Sequence, residues 1–330
     1  MSRGLSKSIF LYSLASSLSM STFSYAASFL QHEEEQQKKI ETPPWFTGPL
    51  LAPSGYVVPK GHVNIQPYIY YTVNSGRYSN NWKPESVTNF YTTLFELPGQ
   101  VGITNALDFR FTPRLFWNRT EGENYVDIGD MSVGFDIQLF KENLKGWRPA
   151  AKLIVRTLLP LGKYEHMNPK KLGTDSTGSG SWFPATGIAL AKIIHIGDGI
   201  HYLNTRLAFG YYIGTVAYVK GINSYGGDPE TKGRAYPGNV FSVDGAIEYN
   251  FTQNLAFAMD AVYTHNNKTR FSGKTTAPVG GPSGEVFSLA PALEYNFNIN
   301  MGLIGGVWFS MAGRNTPRFT SGVIAFNVYI

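Results

Sequence analysis

The 330-residue sequence contains no cysteine. A disulfide framework, a thiolate metal site and a cysteine nucleophile are therefore excluded. Charge is scarce as well, with Asp, Glu, Lys and Arg making up 15% of the residues. Beyond the first 27 residues no segment approaches 18 consecutive apolar residues, which excludes membrane-spanning helices for the processed chain. The excess of basic over acidic residues, +5, is too small to argue for nucleic acid as a partner. No glycine-rich phosphate loop leading into a helix is present.

Aromatic residues and glycine are abundant instead: 22 Phe, 20 Tyr and 35 Gly. That composition suits many strands with aromatic girdles. Met1 to Ala27 carries Arg3 and Lys7, no acid, an apolar run from Ile9 to Phe23 and Ser24-Tyr25-Ala26 as a small-x-small site. Residues 1–26 thus read as a signal peptide cleaved after Ala26, and the loss of its two basic residues moves the net charge from +5 to +3. Residues 27–60 hold Glu33, Glu34, Glu35, Lys38, Lys39, Pro43, Pro44 and Pro59 without a period of two. They read as a periplasmic segment, solvated or tucked into a lumen.

From residue 61 to 330 apolar and polar residues alternate almost without interruption. The first strand carries Val63, Ile65, Ile69 and Tyr71 on one face, with Pro67 as an edge or bulge position. Further strands are expected over Val87–Gly102, Leu107–Asn118, Ile128–Phe140, Arg148–Leu159, Phe183–Ile194, Tyr202–Thr215, Asn239–Phe251, Leu255–His265, Val286–Phe297, Met301–Met311 and Arg318–Ile330. That makes about twelve, each long enough to cross a tilted bilayer path. Met131, Val133, Phe135, Ile137 and Leu139 share one face, and Phe287, Leu289, Leu293, Tyr295 and Phe297 another. A sandwich would also alternate, so connection lengths decide: short turns such as 103–106, 252–254 and 298–300 alternate with polar loops at Asn74–Ser86, Gly162–Trp182, Val216–Gly238 and Asn266–Glu285. Short periplasmic turns and long outer loops are the pattern of an all-β, antiparallel up-and-down transmembrane barrel of a Gram-negative outer membrane. The last strand ends Ile324, Phe326, Val328, Ile330, similar to the signal read by the barrel-assembly machinery, which usually ends in Phe.

The opposite faces supply a lumen set: Asp108, Arg110, Arg114, Asp130, Asp136, Lys152, Arg156, Arg206, Asp244, Glu248, Asp260 and Glu294. Its basic members all fall at or before Arg206, and every later member is acidic. Either these charges form a cross-lumen ion-pair network that fills the barrel, or they line a permeation path. Aromatics in the loops, among them Tyr78, Trp82, Tyr164, Trp182, Tyr218, Tyr225, Tyr236 and Phe271, either anchor the barrel at the interface or form an entry site for an apolar solute. His195 and His201 flank Asp198 in a turn, where a weak metal site could be drawn, but a solvated pair is the commoner outcome. No compact serine and histidine pairing is present, His265 included. No catalytic residue, cofactor or metal is expected.

Three local sequences resemble the family named "Putative MetA-pathway of phenol degradation", often called outer-membrane transporters: Ile128-Gly129-Asp130-Met131-Ser132-Val133-Gly134, Leu159-Pro160-Leu161-Gly162-Lys163-Tyr164, and Leu172-Gly173-Thr174 feeding the strand from Ala185 to Lys192. The resemblance implies a barrel and a channel or transporter for small hydrophobic or aromatic molecules. A non-transporting surface barrel whose loops bind a partner is the alternative, with an outer-membrane lipid enzyme third. The partners expected are the lipid bilayer with its lipopolysaccharide, the barrel-assembly machinery and a small-molecule solute.

Overall fold

The computed structural model describes residues 45–143, 145–197 and 201–330. The expected signal peptide, the acidic run of residues 33–35 and Asp198 lie outside the described residues. Twelve antiparallel walls close into one barrel. Four walls are each broken in two: Val63–Ile65 with Tyr68–Tyr78 (β1, β2), Pro84–Glu96 with Gly99–Thr104 (β3, β4), Leu107–Thr112 with Arg114–Thr120 (β5, β6), and Glu123–Ile128 with Met131–Phe140 (β7, β8). The next three are Ala150–Leu159 (β9), Phe183–Ile196 (β10) and His201–Tyr212 (β11). Between them and the rest come two short strands, Ala217–Lys220 (β12) and Lys232–Tyr236 (β13). The remaining walls are Val240–Asn250 (β14), Leu255–Asn266 (β15), Gly284–Asn298 (β17), Met301–Arg314 (β18) and Thr316–Tyr329 (β19). Arg270–Lys274 (β16) joins β12 and β13 in a separate three-stranded sheet.

Closure comes from β19, which pairs with both halves of the first wall, Asn64 with Tyr329 and Tyr68 with Ala325. The main sheet thus closes on itself, as strands in hydrocarbon require, and only at the rim does Glu123–Ile128 (β7) pair on one side alone, with β6, among the described residues. Exposure runs inside out: Leu293 is 56% exposed while its neighbour Glu294 is 0% exposed. Phe135, Ile137 and Leu139 are likewise outward and exposed, whereas Asp136 between them is buried. Period-2 alternation thus places a lipid face outside and a polar lumen inside.

The breaks in the first four walls sit side by side. Pro67, Pro98 and Pro113 mark three of them and Gly129-Asp130 the fourth. A proline has no N–H for the ladder, so pairing stops and resumes one residue on. Gln66 N donates to Pro98 O, Leu97 N to Pro113 O and Gly129 N to Arg114 O, which keeps the neighbouring breaks at a common level.

One loop differs from expectation. Asn74–Ser86 is mostly strand, because β2 runs to Tyr78 and β3 begins at Pro84, leaving a turn at Ser79–Lys83 closed by a Ser79 N to Lys83 O bond. Arg77 and Glu85 pair across it at 2.8 Å. The outer connections between β6 and β7 and between β18 and β19 are tight too, with Glu121, Gly122 and Asn315 in the left-handed region. Long outer connections therefore gather after β9, β11 and β15. Their separate sheet packs Ala217, Val219 and Ala235 against Tyr164, Tyr225 and Phe271. The Thr276 hydroxyl, foremost among several donors, holds the Asp228 carboxyl well below its usual range and ties the loop before β13 to the one after β16.

Candidate functional site

Residues 45–60 run inside the barrel. Pro49, Pro53 and Pro59 keep the segment from joining a ladder, so its backbone N–H groups need other acceptors. The wall supplies carboxylates and amides. Thr47 N and Gly48 N donate to Glu294 Oε2 at 2.9 and 3.4 Å. Leu50, Leu51 and Ala52 N donate to the two oxygens of Asp260 at 3.0, 3.3 and 2.9 Å. Val57 N reaches Gln138 Oε1 at 3.0 Å and Val58 N reaches Asp108 Oδ2 at 2.8 Å. In return Asn296 Nδ2 donates to Trp45 O and Arg206 Nη1 to Ala52 O. The Leu50 side chain fills an apolar socket made by Tyr68, Ala258, Ala290, Ala292, Ile304, Val323 and Ala325. Small residues at inward positions of β15, β17 and β19 leave the volume that this leucine occupies.

Two glycines mark where segment and wall touch. A Cβ at Gly102 would lie 1.8 Å from Pro59 O, and one at Gly302 would lie 2.0 Å from Thr47 Oγ1. At Gly102 the contact is with backbone, so no side chain fits there without moving the segment, whereas at Gly302 it is with the side chains of Thr47 and Asn296, which can turn aside.

The charged lumen set divides by partner. Lys152 Nζ sits 2.6 Å from Asp136 Oδ2, with Arg110 Nη1 3.7 Å from the same oxygen. Arg206 Nε lies 3.1 Å from Glu248 Oε2 as an ion pair, and that oxygen accepts a hydrogen bond from Asn204 Nδ2. Arg114 is paired with Glu96. Each of these pairs joins adjacent walls, so the expected cross-lumen ion-pair network is absent among the described residues. The surplus of acid after Arg206 is met largely by the N–H groups of the internal segment. Asp130 departs from a lumen-lining role: it accepts from Gly162 N, Ser179 N and Ser179 Oγ and pins the loop after β9. Asp244 and Arg156 line open space in the lumen.

Two cavities remain around the segment. The inner one, about 480 Å³, is bordered by Asn64, Gln100, Lys152, Arg206, Asp244 and Tyr329. The outer one, about 420 Å³, is bordered by Leu50, Tyr70, Pro98, Leu158, Phe183 and Val240. Both reach Leu51, Tyr68, Arg110, Arg156 and Tyr212, which form a neck between them. Glu96, Gln138 and Asn296 are missing from the sequence-derived set. Gln138 and Asn296 share the inward parity of Asp136 and Glu294 but carry no charge, and Leu94 breaks the polar face that Glu96 continues.

His195 packs against Tyr202 with the rings tilted by 40°, and His265 lies 3.7 Å from Glu285, which Arg314 also holds. Among the described residues no three His, Cys, Asp or Glu side chains gather as metal ligands.

The sequence matches the family described as "Putative MetA-pathway of phenol degradation" over residues 49–326. No curated protein matches it. The structure is similar to the COG4313 outer membrane channel from Pseudomonas putida F1, at 13% identity and TM-score 0.66, covering 85% of this chain and 100% of that one. It is also similar to the translocator domain of the autotransporter NalP from Neisseria meningitidis, at 10% identity and TM-score 0.42, over 93% and 97% of the chains. The NanC porin matches at 12% identity and TM-score 0.40, over 80% and 98%. With 278 consecutive residues inside the family match and a closed twelve-walled barrel around a partly open lumen, the chain belongs to the Putative MetA-pathway of phenol degradation family and has the fold of a bacterial outer-membrane β-barrel.

Proposed function

We propose that the barrel is a channel for small, largely apolar or aromatic molecules, and that the internal segment is the element they must pass. The outer cavity carries this reading: beside the charged groups of Glu96, Arg110, Arg114 and Arg156 it presents Leu50, Tyr70, Pro98, Leu158, Phe183 and Val240, a surface for the apolar body of a solute. The family description, which speaks of phenol degradation, points the same way. A lumen meant for bulk hydrophilic flow would have no use for a segment seated across it.

The absence of native cysteine makes a direct test possible. A Cβ at position 302 would lie 3.2 Å from Thr47 Cβ, so a small outward shift reaches the spacing of about 3.5–4.5 Å that a disulfide needs, and replacing Thr47 removes the hydroxyl that stands 2.0 Å away. Oxidised Thr47→Cys/Gly302→Cys protein is expected to lower uptake of radiolabelled toluene by intact cells, and reduction to restore it. Equal uptake in both states would show that solutes pass without moving the segment.

The surface reading keeps one specific observation. Lys220, Lys232 and Lys274 stand in one cross-strand row of the outer sheet, with Tyr218, Arg234 and Ser272 in the next and Tyr236 beside Arg270 in a third. We propose that this face meets phosphates of the surrounding lipopolysaccharide. Lys232→Gln/Arg234→Gln protein is expected to retain less phosphate-bearing lipid through purification, with equal retention counting against the contact.

A further inference from the structure

The neck between the two cavities has hydroxyls and positive charge but no carboxylate. Arg156, on β9, forms no hydrogen bond or ion pair among the described residues, although its guanidinium borders both cavities. The nearby cations are already committed. Arg114 is paired with Glu96, and Arg110 shares Asp136 with Lys152. The hydroxyls of Tyr68 and Tyr212 at the same neck also lack hydrogen-bond partners among the described residues. Three arginines thus border the outer cavity against one carboxylate, Glu96, and Asp244 borders only the inner cavity. A half-enclosed guanidinium flanked by phenol donors is costly to leave unmatched, and the group that satisfies it is an anionic acceptor.

We propose that the neck binds the carboxylate of a small amphipathic acid, an aryl or short alkyl carboxylate, whose apolar body lies in the outer cavity against Leu50, Tyr70 and Phe183. The planar fork of Arg156 matches a carboxylate in bidentate fashion, with Tyr212 or Tyr68 as an additional donor. The outer cavity, about 420 Å³, exceeds the volume of a benzoate-sized body, so the acid can enter without rearranging the walls. This assignment deepens the solute-channel reading and rests on it for its physiological meaning. The binding itself does not depend on flux.

Calorimetric titration of the folded, detergent-solubilised full chain at low salt with benzoate, benzyl alcohol and benzylamine tests it. Benzoate is expected to bind about tenfold more tightly than benzyl alcohol, as a charge-assisted pair implies, and benzylamine more weakly than either. Arg156→Gln is expected to abolish the benzoate margin while leaving benzyl alcohol unchanged, and Arg156→Lys to restore part of it. Heat-modifiable migration verifies that the variants are folded, and if Arg156→Gln is not, Tyr212→Phe is expected to reduce the margin severalfold. Equal affinity for benzoate and benzyl alcohol, no binding by any of the three, or a margin indifferent to Arg156 and Tyr212 overturns the proposal. An Arg156-dependent margin without toluene uptake overturns the transport reading alone, and uptake without the margin overturns this inference alone.

Discussion

Deletion of residues 45–58 is expected to raise the single-channel conductance of the reconstituted barrel severalfold. The segment lies within the lumen, and seven of its backbone N–H groups, from Thr47 to Val58, end on side chains of the wall. A bond to a charged acceptor contributes about 1.5–3 kcal/mol, so the seat is strong even after the ordering of the segment is counted. Once it is gone, Asp108, Asp260 and Glu294 face water and no longer need a backbone partner, which lets the barrel persist. Cation selectivity is expected to increase with conductance, because those carboxylates are then bare in the lumen. Planar-bilayer recording of wild type and deletion protein reads both quantities. An unchanged conductance would mean that the segment already stands clear of the ion path in the membrane.

Replacing Lys152 by Met is expected to cost about 3 kcal/mol of barrel stability, the lower end of what breaking a buried ion pair costs. Lys152 and Asp136 have side chains only 1% and 2% exposed and approach to 2.6 Å. Loss of the ammonium leaves Asp136 with Arg110 at 3.7 Å, too far for a good hydrogen bond. The double change Lys152→Met/Asp136→Leu, which removes both charges, is expected to recover most of the loss. Urea unfolding in lipid vesicles provides the comparison. If the single and double variants unfold at the same midpoint, Asp136 must gain a new partner when Lys152 is absent, and the pair is not a structural element.

The two predictions concern one lumen, and they differ in how far the sequence anticipates them. Lys152 and Asp136 occupy inward positions of alternating strands, so their burial follows from a period of two and needs no coordinates. The same parity identifies Asp108, Arg110, Glu248, Asp260 and Glu294, with Leu293 and Phe135 on the lipid side. It fails where turn-forming composition hides a strand. Asn74, Ser75, Gly76 and Pro84 read as a loop, yet β2 and β3 continue through them as one ladder in which Arg77 stands opposite Glu85. Local composition carries no information about such a cross-strand partner until the register is set.

The internal segment shows the boundary most clearly. Its prolines rule out a strand, but they are equally compatible with a solvated tail and with residence in the lumen. Only closure of the barrel brings Ala258, Ala290, Ala292 and Ala325, all more than 200 residues away along the chain, into one socket for Leu50, and turns Asp260 and Glu294 toward its backbone. Arg156 is the same case in charge: as a residue it is one inward cation among several, and its lack of a partner is decided by which neighbours Glu96 and Asp136 meet. The sequence by itself determined the class of fold, the two faces of each strand and the chemistry of the lumen, because alternation is a local property. The tertiary structure alone decided which of those lumen groups pair, which hold the segment and which remain open, because each outcome depends on contacts between residues far apart in the chain.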